Sequence, residues 1–93
     1  MDLEEFFRRR MDLARKARGR IRISPPERSH LRRIAEDFLE MIDAYLSDAE
    51  VFASSDLPRA IEAVSYAYGW IDAGVRIGLF DGGGDEIMFT LAR

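Results

Sequence analysis

Between Leu31 and Gly78 apolar and small residues recur at steps of three and four, with a single break. Leu31, Ala35, Phe38, Ile42, Tyr45, Ala49 and Phe52 form one run; Leu57, Ala60, Val64, Ala67, Ile71, Gly74 and Gly78 form the other. This rhythm draws an apolar stripe along each of two long helices. At the break, Asp56 or Ser55 supplies a helix cap, and Pro58 is tolerated in the first turn that follows. So short a loop makes the two helices antiparallel neighbours, with left-handed, coiled-coil-like packing at about +20°. A dimeric coiled coil would show the same rhythm, but the tight loop favours an intramolecular hairpin.

A third helix precedes the pair. Asp2-Leu3-Glu4-Glu5 reads as a capping box, and Leu3, Phe6, Phe7, Met11, Leu13, Ala14 and Ala17 share one face. Gly19 reads as its stop, and Arg20-Ile21-Arg22-Ile23 as a short extended connector. Ser24-Pro25-Pro26-Glu27 resembles a second capping box, with Ser24 as the cap and Pro25 at the first helical position. The expectation is an all-α, three-helix antiparallel bundle forming a single domain over 1–93. Its helices cover about 3–18, 25–53 and 57–80, followed by a Gly-rich turn at 81–85 and a short extended tail at 86–93. The tail, with Ile87, Phe89 and Leu91 alternating, has three options: to lie on the bundle, to pair with Ile21–Ile23, or to pair with another copy. The first is preferred.

Composition excludes several functions. There is no cysteine, so disulfides, thiolate metal sites and a cysteine nucleophile are ruled out. The acidic start Met1-Asp2-Leu3-Glu4-Glu5 does not read as a secretory signal, which suits a cytoplasmic protein. The most apolar stretch, 63–80, contains Asp72 and Arg76, each costing about 2.5–3.5 kcal/mol at a bilayer centre, so no membrane span is expected. His30, the only histidine, stands among Arg28, Arg32 and Arg33 and reads as a surface residue rather than a catalytic base. Glu36 and Glu40 fall on a polar face, and no helical zinc or di-iron spacing is present. Gly82-Gly83-Gly84 is followed by Asp85-Glu86, which would repel phosphate, and it lacks the calcium-loop pattern. No catalytic residue, cofactor site or metal site is expected, and the chain reads as a non-enzyme.

Charge is segregated. Residues 1–33 carry a net +6 and residues 34–93 a net −9. Either the two parts neutralise each other or the basic part is an arm for an acidic partner. On the second view Arg8, Arg9, Arg15, Lys16 and Arg18 would contact nucleic acid, although an overall pI of about 5.1 weighs against a dedicated binder. On the first view the basic helix docks on Asp37, Glu40 and Asp43. Arg10 falls inside the apolar face of the first helix, where it must snorkel or pair with a carboxylate.

The third helix is the most informative. From Leu57 to Phe80 its charges are Arg59, Glu62, Asp72 and Arg76, too few for a helix packed on one side only. Behind its stripe stand Ser65, Gly69 and Ala73, small residues four apart that would let another backbone approach. The face is covered either by the C-terminal tail or by a second copy or protein partner. Tyr45, Asp48, Tyr66, Trp70 and Asp72 complete the candidate interface or pocket, with hydrogen bonding between helices the expected role of their polar atoms.

Three stretches also resemble a known family: Tyr45-Leu46-Ser47-Asp48-Ala49-Glu50-Val51-Phe52 with Asp56, then Ala63-Val64-Ser65-Tyr66-Ala67-Tyr68-Gly69-Trp70-Ile71-Asp72-Ala73-Gly74, then Gly78-Leu79-Phe80. Together they are similar to the archaeal domain of unknown function 357 family, most specifically in Tyr-Ala-x-Gly-Trp-x-Asp-Ala-Gly. The resemblance covers about 34–80 and implies a three-helix bundle with no assigned activity. The positions matching its pattern are Tyr45, Asp48, Tyr66, Gly69, Trp70, Asp72 and Gly74. The resulting expectation is a helical module that self-associates as a homodimer or docks on a protein, with nucleic-acid binding as the alternative.

Overall fold

The computed structural model describes residues 1–83. It contains three helices, α1 (Leu3–Arg20), α2 (His30–Phe52) and α3 (Leu57–Arg76), and two short strands, β1 (Arg22–Ile23) and β2 (Phe80–Asp81). The chain is an all-α bundle clipped at one end by this small ribbon. The ion pairs Arg8–Glu50 and Arg18–Asp43 run in opposite sequence order, so α1 is antiparallel to α2 and parallel to α3. The helix α3 packs on both other helices, whereas α1 and α2 meet only sparsely. This central position is one reason α3 carries so few charges.

The core is one row per helix. Phe7, Met11, Ala14 and Ala17 come from α1; Ala35, Ile42, Leu46 and Ala49 from α2; Ala60, Val64, Ala67, Tyr68 and Ile71 from α3. The alanines matter because side chains ending at Cβ let helix axes approach closely. Leu46 lies outside the expected stripe and is buried facing α1, where it lines a groove with Arg15, Arg18, Asp43 and Glu50. Leu31, expected in the stripe, is exposed because it stands in the first turn of α2, beyond the packed part of the bundle.

Caps at Asp2 and Asp56 stand where the sequence places them. Each carboxylate accepts a backbone N–H three residues on, from Glu5 at 2.8 Å and Arg59 at 3.2 Å. Glu5 does not complete a box; its carboxylate accepts from Arg9 at 2.9 Å instead.

Three expected boundaries are corrected, all at the end of the bundle where the ribbon lies. The second helix is capped by Ser29, not Ser24: Ser29 Oγ accepts from the Arg32 N–H at 3.1 Å, and Pro25 precedes the helix rather than opening it. Ser24 instead donates its N–H to the Leu79 carbonyl at 3.0 Å, extending the ribbon. Ser24 and Pro25 each precede a proline, which disfavours helical backbone at both. Gly19 does not stop α1, which continues to Arg20 and turns extended at Ile21. There the Arg22 guanidinium donates to the carbonyls of Gly19 and Ile21, at 3.0 and 2.9 Å. Finally, α3 ends at Arg76 rather than near Phe80. Gly78, at φ +85°, is a left-handed helix stop: its N–H bonds to Val75 O at 3.2 Å, and the Leu79 N–H to Gly74 O at 2.9 Å. That turn sends Phe80 back onto the bundle, where Ile23 pairs with Phe80 and Arg22 with Asp81.

The partner of the Ile21–Ile23 connector is therefore 80–81. The expected tail at 86–93 lies outside the described residues. At 81–83 a turn does form, with the Gly83 N–H bonded to Asp81 Oδ1 at 2.8 Å. No helix among the described residues is long and apolar enough to cross a membrane.

Candidate functional site

The stripe Ser65, Gly69, Ala73 lies at i, i+4, i+8 on α3 and remains exposed along its length. These residues, with Phe38, Tyr66 and Trp70, line a shallow, largely apolar groove of about 420 Å³ between α2 and α3. Gly69 is the telling position. A β-carbon there would meet nothing within 4 Å among the described residues, so their packing gives no reason for a glycine. In a helix interior glycine costs about 0.8–1.0 kcal/mol relative to alanine. Gly69→Ala is therefore expected to stabilise the dilute monomer by about 0.5–1 kcal/mol, read as a higher thermal midpoint at low protein concentration. A lower midpoint would place an unseen neighbour against Gly69 within the monomer.

Aromatic rings flank the stripe as a continuous ladder. Tyr45 stacks on Tyr66 at 4.6 Å between centroids, and Tyr66 lies near-parallel to Trp70 at 6.4 Å. Trp70 meets Phe38 edge-on at 4.6 Å, and Phe38 meets Phe80 at 6.3 Å. All four spacings fall in the favourable range for aromatic pairs. The Trp70 indole N–H is buried and has no acceptor among the described residues. Tyr66, by contrast, is 55% exposed although two other rings flank it. Beyond Tyr66 a second groove of about 520 Å³ contains Asp48, Phe52, Arg59 and Glu62, with Arg59 stacked over the Phe52 ring at 5.1 Å.

The structure thus brings together Tyr45, Asp48, Ser65, Tyr66, Gly69, Trp70 and Ala73 on one side of the bundle. Arg76 stands exposed at the end of the same helix. It separates Asp72 from them: Asp72 is 3% exposed, inside the bundle beside the buried row of α3. Phe38, Arg59 and Glu62 belong to the surface but were not expected there. Phe38 is half-buried, serving the α2 stripe with one side and the groove with the other.

The basic residues of α1 are drawn into ion pairs. The Arg18 guanidinium grips Asp43 through two bonds of 2.7 and 3.1 Å. This hydrogen bond raises the Arg18 pKa above its ordinary value, outweighing the opposite effect of burial. Because that shift moves an already high pKa upward, Arg18 keeps its charge throughout the neutral range and adds no pH dependence there. Arg8 and Arg15 both approach Glu50, at 3.8 and 3.7 Å. Arg9 pairs with Glu5 and Lys16 with Asp12, each one turn away. All five residues considered for nucleic-acid contact therefore have an acidic neighbour. Arg10 snorkels, its guanidinium 5.1 Å above the Phe6 ring. Neither Asp37 nor Glu40 holds α1; Asp43 and Glu50 do.

Among the described residues no three His, Asp or Glu side chains converge as a metal site. Neither the curated proteins nor the solved structures include one that matches the chain. A family model described as Protein of unknown function (DUF357) matches residues 9–80, spanning the core rows of all three helices except Phe7, and the whole aromatic surface. By that match the chain belongs to the domain of unknown function 357 family.

Proposed function

We propose that this chain is a non-catalytic docking module whose working surface is the outward face of α3 with its aromatic ladder. The carrying observation is Gly69, a helix-destabilising residue at the centre of an apolar groove, with no neighbour among the described residues to require it. A cost of that kind makes physical sense where another polypeptide comes close to the helix. The exposed Tyr66 and half-buried Trp70 add the residue types that most often anchor protein contacts. Each of Arg8, Arg9, Arg15, Lys16 and Arg18 stands beside a carboxylate, which weakens the positive field a phosphate would meet and supports this reading over nucleic-acid binding.

Site-specific photocrosslinking tests it. A photoreactive side chain replacing exposed Ser65 is expected to give an adduct with a separate polypeptide, lost on Ala73→Glu. The same side chain at exposed Glu4, outside the groove, is expected to give none. A crosslink confined to the chain's own residues, or no adduct at Ser65, would contradict the proposal.

A further inference from the structure

Two charges on the outward face of α3, Glu62 and Arg76, stand symmetrically about Gly69, while Arg59 lies on the flank beside Tyr66. Glu62 lies seven residues before it and Arg76 seven residues after, both exposed. Seven residues is close to two helical turns, about 10.5 Å along the axis, so both stand on nearly the same face as Gly69. Ser65 and Ala73 lie four residues to either side, exposed and uncharged. The stripe therefore reads acid, small, glycine, small, base.

Such a pattern complements itself when reversed. We infer that the partner of this face is a second copy of the chain, with α3 crossing α3 of the other copy antiparallel about a two-fold axis at Gly69. The inference rests on the docking reading and names its occupant. In that arrangement each residue meets the one equally far on the other side of Gly69. Ser65 faces Ala73 of the second copy, and Glu62 faces Arg76 of the second copy, twice by symmetry. A two-fold interface requires one patch to be its own complement, and opposite charges at equal distances from the centre satisfy that. Arg76 also holds an interaction within its own chain, which this pairing would join or replace.

The aromatic ladder fits the same geometry. A two-fold axis lying in the interface, perpendicular to α3, keeps the flanking grooves of both copies on one side. Tyr66, Trp70 and Phe38 line that flank. The two grooves then adjoin, with Trp70 of one copy near the centre beside Trp70 and Tyr66 of the other. Gly69 and its small neighbours allow the helices to approach closely enough for the rings to meet.

Sedimentation equilibrium of the full chain, over a wide concentration range, tests this with a charge-swap set. Wild type is expected to move from 10.7 kDa towards twice that mass. Glu62→Arg alone and Arg76→Glu alone are each expected to raise the dissociation constant about tenfold or more, by setting like charges opposite each other. The double variant Glu62→Arg/Arg76→Glu restores the complement and is expected to recover association to within about threefold of wild type. Circular dichroism of each variant reports whether it folds, and the double variant guards against a merely structural effect. A dimer indifferent to the single reversals, or one not restored by the double, overturns the inference. So does a chain monomeric at every concentration. If such a monomer still gives Ser65 adducts with another polypeptide, only self-pairing has failed; if it gives none, the docking reading has failed too.

Discussion

Phe7→Ala is expected to lower the unfolding free energy by about 3–5 kcal/mol, which would make the chain marginal or unfolded. Phe7 has no exposed surface and is among the largest fully buried side chains in the bundle. Its loss leaves a cavity, and the geometry of α1 makes that cavity hard to close. Since α1 meets α2 only sparsely, its apolar attachment rests on the row Phe7, Met11, Ala14 and Ala17. Two of the four are alanines, with little area to compensate. The ion pairs to Asp43 and Glu50 are half-exposed and add little. Denaturant titration followed by circular dichroism measures the effect. A change below about 1 kcal/mol would mean that α1 is not an integral member of the fold.

The second large effect comes from Gly74→Ala, a substitution that intrinsic propensity alone would favour by about 1 kcal/mol. Here the sign reverses. A β-carbon on Gly74 would fall inside the contact distance of the Phe80 ring, meeting its Cδ2 and Cε2 atoms. Phe80 has little freedom to yield, because it is 2% exposed, packed edge-on to Phe38 and paired in the ribbon with Ile23. Accommodating the methyl means shifting the ring and loosening the clip that joins the ends of α1 and α3. The expected net cost is about 1–3 kcal/mol. Gly74→Ala/Phe80→Leu should recover part of it, since the smaller side chain makes room. Equal costs in the single and double variants would show that the clash is not the cause. The contrast with Gly69→Ala is informative: the same change on the same helix, five residues apart, should act in opposite directions.

Much of the fold could be read directly. The three-four rhythm specifies α2 and α3, and the Asp2 and Asp56 caps place the starts of α1 and α3, because these signals are local and repeated. The ribbon could not be read. Strands of two residues carry no periodicity, and pairing 22–23 with 80–81 is a contact between distant parts of the chain. All three revised boundaries lie at this end of the bundle: Ser24 extends the ribbon, α1 runs past Gly19 to Arg20, and the Gly78 turn returns Phe80 to pair with Ile23. The Pro25-Pro26 pair is a local signal against a helix that starts at Pro25.

The candidate surface was legible in part for the same reason. Ser65, Gly69 and Ala73 are local and periodic, so their spacing predicts an open face on α3. For Asp72 the spacing leaves both a surface position and a place between helices open, because a sequence shows only that a helix has several apolar sides, not which neighbour takes which. With α3 packed on both α1 and α2, the buried sector extends far enough to include Asp72. Phe38 is not legible as a groove residue, because a residue at the edge of a stripe looks like core until its neighbours are placed. The charge asymmetry left two readings, and the ion pairs from α1 to Asp43 and Glu50 show the complementarity within the bundle.

Collisional quenching of Trp70 is the most direct test of whether the outward face of α3 is a contact surface. Trp70 is the only tryptophan, half-buried at the edge of the groove, so its fluorescence reports on this surface alone. Acrylamide is expected to quench it readily in dilute protein and less as concentration rises. In Gly69→Leu, which blocks close approach, quenching should stay at the dilute value throughout. Quenching that is unchanged across concentration in wild type, and the same in Gly69→Leu, would contradict a face on which two copies of the chain meet.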